Sequence, residues 1–511
     1  MKYQSFIILC VFFLQIVSGT VLDCLSYSTC LLKNITEVEA YGTTMHKVTF
    51  LTIIDTDFTQ INDTEFLLEQ FTHTKTLKIH NSTFKTDSFI RDIIKYQTHI
   101  KVLDLSQNRG IKTITKETFG STDGDNERYY LFTLNLSNNE IEEVAKGALT
   151  LFESLEELDL SGNSIKSLKH SFSDNVLLNL KSLDLSNNQL YDIMDEAFKG
   201  LHNLEKLIMN KNLLKNLSSS ILKPLKNLKE LDVSENQLML IEVLSPKLKI
   251  LNVEGNFLKS DRIRGLNRLT NLKTLKISRN PFGNINNETF MRLISLETLK
   301  MESLLELQIT HEDVFQALKN LKYLDLRNNG LSDIEQFSLH NLSKLILVQL
   351  DKNRLSTINL SHLPLESLRY IGLQGNFFKC DFLENFLTQI RDKNIRLYFE
   401  NDSLSPGSKT VQGIECQSAD DDISPTKSIP CNNEDIDNFY TWHTKLSSFV
   451  CLSLAAFYIW ILWRNKEAIR KIKDEEYEQE ELLHDDFCSS SSFNLDDLLA
   501  KEKSREISNE M

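Results

Sequence analysis

The middle of the chain repeats one pattern of apolar and polar positions. The segments LEELDLSGNSIKSL (155–168), LKSLDLSNNQLYDI (180–193), LKELDVSENQLMLI (228–241) and LKYLDLRNNGLSDI (321–334) place apolar residues at positions one, four, six and eleven, and Asn at position nine. The alternation around positions four to six predicts a short strand with its leucines buried. The unit recurs about every 24 residues, so each strand buries its apolar side only by stacking on its neighbours.

About fourteen repeats align on the apolar fourth position and together cover residues 45–378. The first two are poorly formed. The segment 120–130 lengthens the step from Asn108 to Asn139 to 31 residues, which predicts a loop insertion. The step from Asn236 to Asn256 is only 20 residues, which predicts little convex structure there. The fourth positions are Leu51, Leu77, Leu103, Leu134, Leu158, Leu183, Leu207, Leu231, Leu251, Leu275, Leu299, Leu324, Val348 and Ile371.

Two further columns of residues recur with the repeat. The ninth-position asparagines, among them Asn108, Asn163, Asn188, Asn236 and Asn329, are predicted to form a structural ladder whose amides satisfy backbone groups in the turn after each strand. Leu304 replaces the expected Asn in one repeat. Recurrent phenylalanines are predicted to pack as a spine on the convex side. They are Phe119, Phe172, Phe198, Phe290 and Phe315.

The skeleton L-x-x-L-x-L-x-x-N-x-L over residues 45–378 resembles the leucine-rich repeat superfamily. This resemblance implies an α/β repeat solenoid, a horseshoe with a parallel concave sheet. The chain is similar to transmembrane leucine-rich repeat proteins, including Toll-like receptor ectodomains and the insect leucine-rich immune proteins. Toll-type receptors carry a large intracellular signalling domain, and we expect none here.

A candidate ligand patch lies in the later repeats. Side chains flanking the strand leucines point to the concave face, where solenoids commonly bind partners. Asp is the usual residue there in the superfamily, so cationic and aromatic departures favour protein binding, because Tyr and Arg are enriched at interface hot spots. An ordinary solvated face is the alternative interpretation. The patch comprises Lys276, Arg279, Lys300, Tyr323, Arg327, Leu347, Lys352 and Tyr370.

Charge and motifs exclude other functions. The net charge of −14 argues against nucleic-acid binding, which needs a basic face to neutralise phosphates. No H-E-x-x-H, G-x-S-x-G, P-loop or C-x-x-C pattern occurs in the sequence. We therefore expect neither an enzyme nor a metal or cofactor site.

The N-terminus predicts export. Lys2 and an apolar run from Phe6 to Val17 indicate a signal peptide over residues 1–19. Sequons occur only before residue 404, which fits a glycosylated ectodomain, and a glycan on Asn135 would project from the concave side. The sequons are Asn34, Asn62, Asn81, Asn135, Asn216, Asn287, Asn341, Asn359 and Asn401.

Residues 446–463 form an 18-residue run without a formal charge, near the short limit for a membrane-spanning helix. Basic residues follow the run and acidic residues precede it, which predicts a type I, single-pass protein of the plasma membrane with its N-terminus outside. A stalk (432–445) precedes the run. A disordered acidic tail (464–511) follows it, where Glu478, Leu482 and Leu483 match an acidic dileucine sorting pattern. The tail could also bind a cytoplasmic adaptor.

Five cysteines lie in the predicted ectodomain. Cys24 and Cys30 are expected to pair in an N-terminal cap over residues 20–44. A C-terminal cap is expected over residues 379–431, with helical apolar spacing from Phe382 to Ile390. The family resemblance implies that Cys380 pairs with Cys416, which would leave Cys431 for an intermolecular disulfide. A Cys380–Cys431 bond with Cys416 free is the alternative.

Three functions fit these features. The first is a cell-surface recognition or adhesion receptor that binds a protein, microbial or matrix ligand and relies on partners for signalling. Innate immune recognition is one role that such a receptor would fit. The second is an endocytic or trafficking receptor that uses the dileucine pattern. The third is a co-receptor subunit, and the Cys431 bridge would allow a homodimer or a heterodimer.

Overall fold

A computed structural model describes most of the predicted ectodomain, with the strand Val21–Ser26 described by its backbone. Within this part of the chain, the strands of successive repeats lie side by side in one parallel sheet. The described residues are 21–26, 29–35, 48–61, 71–85, 90–91, 95, 99–120, 130–173, 176–243, 245–399 and 409–417.

The predicted register of the sheet is confirmed. The fourth-position residues face one another from strand to strand, from Leu51 opposite Leu77 to Val348 opposite Ile371, and all fourteen are buried. The strands are Phe50–Ile54, Thr76–His80, Val102–Asp104, Thr133–Asn135, Glu157–Asp159, Ser182–Asp184, Lys206–Ile208, Glu230–Asp232, Ile250–Asn252, Thr274–Lys276, Thr298–Lys300, Tyr323–Asp325, Leu347–Gln349 and Tyr370–Gly372.

Additional strands extend the sheet at both ends of the array. Thr29–Lys33 pairs in parallel with Phe50–Ile54, and Val21–Ser26 pairs antiparallel with Thr29–Lys33. At the other end, Arg396–Leu397 pairs with Tyr370–Gly372. These end strands lack the repeat motif, so the periodicity did not predict them.

Turns and short strands, with little helix, build the opposite side of the described repeats. Repeats of about 24 residues leave too little chain for long helices after the strand and its turn. The short strands are Thr113–Ile114 with Glu143–Val144, Ser167–Leu168 with Asp192–Ile193, Asn216–Leu217 with Leu240–Glu242 and Ile263–Arg264, and Asn284–Ile285 with Gln308–Ile309. The helices described over their whole length are Lys116–Phe119, Ser219–Leu222 and Cys380–Asp392, with 3₁₀ turns at Ser260–Arg262, Leu266–Arg268 and Leu360–His362; residues 90, 91 and 95 are also helical.

The short repeat differs from its prediction. Despite its 20-residue length, it contributes Leu240–Glu242 as the middle strand of the three-stranded convex sheet. The chain then turns back, and the hydroxyl of Ser245 donates to the carbonyl of Leu228 at 2.9 Å. The missing residues therefore come from the segment between this strand and the next concave strand.

The asparagine ladder is confirmed. Asn163 donates from Nδ2 to the carbonyl of Leu160 in its own repeat and to that of Leu136 in the preceding repeat, both at 2.9 Å. Its Oδ1 accepts from the backbone N–H of Ile141 at 3.0 Å. Buried backbone groups need such partners, so each asparagine joins two repeats as well as closing its own turn.

The ladder changes at Leu304. This side chain is buried but cannot donate to the carbonyl of Ile277 in the preceding repeat, as an asparagine would. Asn329 still donates from Nδ2 to the carbonyl of Met301 at 2.7 Å, so the bridge to the following repeat is kept. The N–H of Leu305 donates to the carbonyl of Asn280 at 3.0 Å. One rung of the amide ladder is therefore lost between the repeats of Leu275 and Leu299.

The predicted phenylalanines are all buried, and several rings contact one another across repeats. Phe172 stacks on Phe198 with centroids 6.3 Å apart, and Phe290 stacks on Phe315 at 6.1 Å. Phe337 continues this column with a T-shaped contact to Phe315 at 5.6 Å. The rings fill the solenoid interior, as aromatic side chains with large apolar surfaces do.

A helix covers the last repeat. Cys380–Asp392 buries Leu383, Phe386, Leu387 and Ile390 against the end of the array, while Phe382 is half-buried. A disulfide joins Cys380 to Cys416, next to the hairpin formed by Thr410–Val411 and Ile414–Glu415. Backbone hydrogen bonds between Cys380 and Gln417 and between Gln417 and Phe378 hold this connection in place.

Candidate functional site: the concave face of the later repeats

The concave face is the solvent-facing side of the parallel sheet. Near its C-terminal end, Tyr323, Leu347, Tyr370 and Arg396 occupy equivalent positions on four neighbouring strands. Tyr323 is 45% exposed and Tyr370 is 40% exposed, although both lie on regular strands. We call these four residues the aromatic row. Rigid aromatic side chains on a rigid sheet lose little entropy on binding.

A shallow groove of about 610 Å³ borders the aromatic row. Lys322, Ile346 and Arg369 line it, and each directly precedes a member of the row in the sequence. The groove thus combines an apolar residue with two basic ones beside the exposed tyrosines. Arg and Tyr are enriched at protein–protein interfaces, whereas Lys is depleted, so Arg369 and the tyrosines are the residues that favour binding here.

Lys276 and Lys300 lie next to the aromatic row. They face each other on adjacent parallel strands, and both are partly exposed. Strand spacing places their backbones about 4.8 Å apart. The positions two residues earlier hold Thr274 and Thr298, while on the far side Lys300 lies opposite Asp325 of the next strand.

Arg327, a member of the predicted ligand patch, is bound to carboxylates of the chain itself. Its guanidinium donates to both carboxylate oxygens of Asp325, at 2.9 and 2.8 Å, and to Glu302 at 3.1 Å. The side chain is only 14% exposed. Hydrogen bonding to Asp325 raises the pKa of Arg327. This arginine stabilises the sheet surface and cannot readily pair with a ligand.

Arg279 also forms an ion pair within the chain. It pairs with Glu235, which lies two repeats away. The intervening position holds Gly255 with φ of +61°, and a Cβ there would lie 2.7 Å from Oε1 of Glu235. The glycine therefore leaves room for the ion pair to cross its repeat. Lys352 adopts the same left-handed conformation, with φ of 57°.

The earlier repeats present an acidic concave face. Asp104, Asn135, Asp159 and Asp184 follow one another across adjacent strands. Burial raises the pKa of Asp184, and the charge of Asp159 adds to this effect. Asn135 lies on the concave side, the position expected from the sequence. Its Oδ1 accepts a hydrogen bond from the backbone N–H of Ser137 at 2.9 Å. In the described residues, no group of three or more His, Cys, Asp or Glu side chains is arranged to hold a metal.

A column of charged residues, which the sequence reasoning missed, runs along one rim of the sheet. The backbone N–H of each member donates to the carbonyl of the member before it. Ion pairs join Glu156 to Lys181 at 2.8 Å and Glu205 to Lys229 at 2.6 Å. We call this the rim column: Glu156, Lys181, Glu205, Lys229, Lys249, Lys273, Glu297 and Lys322.

Glu297 accepts hydrogen bonds from two lysines of the rim column. Lys273 donates to it at 2.8 Å and Lys322 at 2.7 Å, from opposite sides. These hydrogen bonds lower the pKa of Glu297 to about 2. The alternation of Glu and Lys at the second repeat position was visible in the sequence and could have indicated this column.

The described sequons avoid the concave face of the later repeats. Asn216 and Asn287 lie exposed on or after strands of the convex side, and Asn359 begins a 3₁₀ turn. Asn341 is half-buried, and its carbonyl accepts from Lys319. The remaining described sequons, Asn34 and Asn81, have positive φ and directly follow strands of the N-terminal repeats.

Several predicted features lie outside the described residues. Cys30 is buried and disulfide-bonded, whereas the side chain of Cys24 is outside the description. No helix in the described part is long and apolar enough to cross a membrane, and the predicted span over 446–463 lies beyond that part. Other predicted features also lie outside the described residues. They are the signal peptide, the 120–130 insertion except its two ends, the stalk, the tail with Glu478, Leu482 and Leu483, and the residues Asn62, Asn401 and Cys431.

The leucine-rich repeat family model matches four segments of the array, residues 130–179, 179–238, 246–303 and 307–378. These segments are leucine-rich repeats. Nephrocan of Mus musculus is 30% identical over 158 residues, or 30% of this chain. The match spans only 30% of the length of nephrocan.

Solved leucine-rich repeat structures share the fold. A leucine-rich repeat protein of Leptospira interrogans aligns with a TM-score of 0.54 and 21% identity, over 69% of this chain and 90% of the other. The LRIM1/APL1C complex aligns with a TM-score of 0.54 and 19% identity, over 94% and 86%. At these identities, the likeness establishes a parallel-sheet solenoid.

Proposed function

We propose that this leucine-rich repeat protein is a cell-surface recognition receptor that binds a protein ligand on the concave face of its later repeats. The observation that carries this proposal is the aromatic row. Its tyrosines remain 40–45% exposed on a regular, buried-core sheet, and exposed aromatic side chains beside basic ones are enriched at binding hot spots. Immune recognition and cell adhesion both fit such a surface, and a microbial or matrix ligand is the alternative to a host protein.

Two observations support the choice of surface. Arg279 and Arg327 are bound to carboxylates of the chain itself, so the aromatic row with Lys276 and Lys300 carries the patch. The described sequons leave the concave face of these repeats clear, whereas Asn135 would place a glycan on the earlier, acidic part. A chain of the LRIM1/APL1C complex has a similar fold, and its presence in a complex supports a protein partner here.

Site-specific cross-linking tests this function. A photo-reactive residue replaces Leu347 in the full-length chain on cells, and a matched variant carries it at Ser182, an equivalent position in the earlier repeats. We expect a protein adduct at position 347 that is absent at 182 and is lost when Tyr323→Ala and Tyr370→Ala are added. Equal labelling at both positions, or none at 347, contradicts the proposal.

The surface location belongs to the same proposal. It is supported by the export signal over 1–19, the sequons and the uncharged run over 446–463. A tag placed after residue 19 should be accessible to antibody on intact cells, and a tag after residue 511 only after permeabilisation. Accessibility of both tags, or of neither, on intact cells contradicts the type I topology.

A trafficking receptor is the second candidate, favoured by Glu478, Leu482 and Leu483 in the tail. Surface-labelled protein should then be internalised several-fold more slowly when Leu482→Ala and Leu483→Ala are combined. The matched control replaces Leu498 and Leu499 with alanine. Unchanged internalisation in the dileucine variant contradicts the trafficking function and leaves the recognition proposal intact. A co-receptor subunit, the third candidate, would label another receptor in the cross-linking experiment.

A further inference from the structure

Between Glu156 and Lys322, the alternation of glutamate and lysine in the rim column is broken at one position. The same backbone pairing continues through Lys75, Lys101 and Phe132 before this stretch and through Ile346 and Arg369 after it, where charges do not alternate. From Glu156 to Lys229 and from Lys273 to Lys322, glutamate and lysine alternate, and each glutamate has a lysine on a neighbouring strand. Continued alternation would place a glutamate at position 249. Lys249 stands there instead, hydrogen-bonded through its backbone to Lys229 on one side and to Lys273 on the other.

The two flanking lysines are turned toward their own carboxylates. Lys229 binds Glu205 at 2.6 Å, and Lys273 binds Glu297 at 2.8 Å. The nearest concave glutamate, Glu230, binds Lys206 at 3.2 Å. Lys249 is exposed and has no carboxylate partner within the described part of the chain. Like charges on neighbouring strands repel one another. The hydrogen bond from Lys229, followed by the charges of Lys229, Lys181 and Lys249, lowers the pKa of Glu205, so Lys249 contributes to the fold through its charge but forms no salt bridge among the described residues.

The basic character extends around Lys249. Lys226 and Lys247 are exposed on the same part of the surface, with Lys247 donating to Oδ1 of Asn227 at 2.6 Å. Residues 223–276 contain eleven Lys and Arg residues but six Asp and Glu residues, in a chain whose net charge is −14. Local rules that break without a compensating salt bridge are typical of functional positions.

We propose that the rim around Lys249 is a docking surface for a partner protein that presents one or two adjacent carboxylates. A carboxylate inserted between Lys229 and Lys273 would complete the alternation that the chain itself leaves open. This surface lies on the rim and uses none of the aromatic row, so it is independent of the ligand site proposed above.

The boundaries of the basic stretch decide the kind of partner. Glu205 and Glu297 lie two strands to either side of Lys249, roughly 10 Å away at ordinary strand spacing. A long sulfated polysaccharide running along the rim would therefore meet a carboxylate at both ends. A short acidic peptide segment crossing the rim avoids this repulsion, so it fits the surface better.

Fluorescence anisotropy tests the inference with the purified full-length chain. The probe is a labelled hexapeptide with two central glutamates, titrated at low ionic strength, where exposed charges are least screened. We expect measurable binding that Lys249→Glu weakens at least fivefold and Lys249→Gln weakens less. Lys215→Glu, an equal charge change at an exposed lysine outside the rim column, should change binding less than twofold.

A thermal melt and a competition complete the test. Lys249→Glu restores the alternation, so its melting temperature should equal or exceed that of the wild type, which excludes misfolding as the cause of weaker binding. Heparin should compete no better than the unlabelled peptide at equal charge. The proposal is overturned by no peptide binding, by equal binding of Lys249→Glu, by a lower melting temperature of that variant, or by heparin competing more strongly through Lys249.

Discussion

Asn280 illustrates how one side chain stabilises two repeats. It is fully buried, and Nδ2 donates to the carbonyls of Val253 and Ile277, both at 2.9 Å. Its Oδ1 accepts from the N–H of Leu258 at 3.0 Å. The recurrence of Asn in the sequence predicted this ladder, because only a small side chain with both a donor and an acceptor serves both turns. Periodicity did not predict the bonds to the preceding repeat.

The Asn280→Ala variant should lose about 2–4 kcal/mol of stability, because buried backbone donors and acceptors lose their partner. Asn271→Ala is the matched control, since exposed Asn271 makes one hydrogen bond, to the carbonyl of Pro246. The control should lose less than about 1 kcal/mol. Denaturant unfolding followed by circular dichroism measures both. Equal losses would show that the ladder is not the stabilising feature.

Glu297 predicts a pH dependence at the rim. Its pKa falls from 4.5 to about 2 in the folded chain, so its ionised form stabilises the fold above pH 4.5. That contribution is lost as the pH falls from 4.5 towards 2. The melting temperature of the wild type should therefore exceed that of Glu297→Gln at pH 6, and the difference between the two melting temperatures should vanish by pH 2. A difference that is constant over this range contradicts the ion-pair assignment, and added salt should narrow it at pH 6.

The elements at the ends of the array differ in how well the sequence predicted them. Helical spacing from Phe382 to Ile390 indicated the helix Cys380–Asp392 and its buried face. Arg396–Leu397 escaped prediction because two residues carry no periodicity, although this strand adds Arg396 to the aromatic row. The ion pairs of Arg279 and Arg327 escaped because they depend on which side chains meet across repeats, which spacing alone does not give.

The cap helix should be essential for the stability of the last repeats. Leu387 is 1% exposed, so Leu387→Ala should cost about 2–5 kcal/mol, mostly in the C-terminal repeats. Exposed Thr388→Ala, the neighbouring control, should cost less than about 1 kcal/mol. Limited proteolysis should cut the first variant near the cap before the rest of the array. Cleavage patterns that are identical to those of the control would contradict this function of the helix.

At the scale of the whole molecule, the sequence predicts that Cys431 links two chains. The disulfide between Cys380 and Cys416 leaves Cys431 as the remaining cysteine of the predicted ectodomain beyond the N-terminal pair. We propose an intermolecular bridge there. Wild type should migrate as a dimer on non-reducing gels, and Cys431→Ser should migrate as a monomer. A monomeric wild type, or a dimer that persists in Cys431→Ser, contradicts the bridge.

The lost rung at Leu304 gives the array a plane of weakness. Stability in a stack of repeats is carried by contacts between neighbours, and here one amide bridge is absent between the repeats of Leu275 and Leu299, because Leu304 cannot donate to the carbonyl of Ile277. Hydrogen exchange should therefore show two protected blocks that meet between the strands Thr274–Lys276 and Thr298–Lys300, and Leu304→Asn should merge them. Uniform protection in the wild type would contradict this.

A chain pulled from its ends would then part at this plane first. The aromatic row would stay folded with its cap helix on one side, and the rim around Lys249 would stay with the earlier repeats on the other. Tension between two docked partners would thus separate the two proposed surfaces before it unfolded either of them. The missing asparagine would therefore set the place where the array first yields under force.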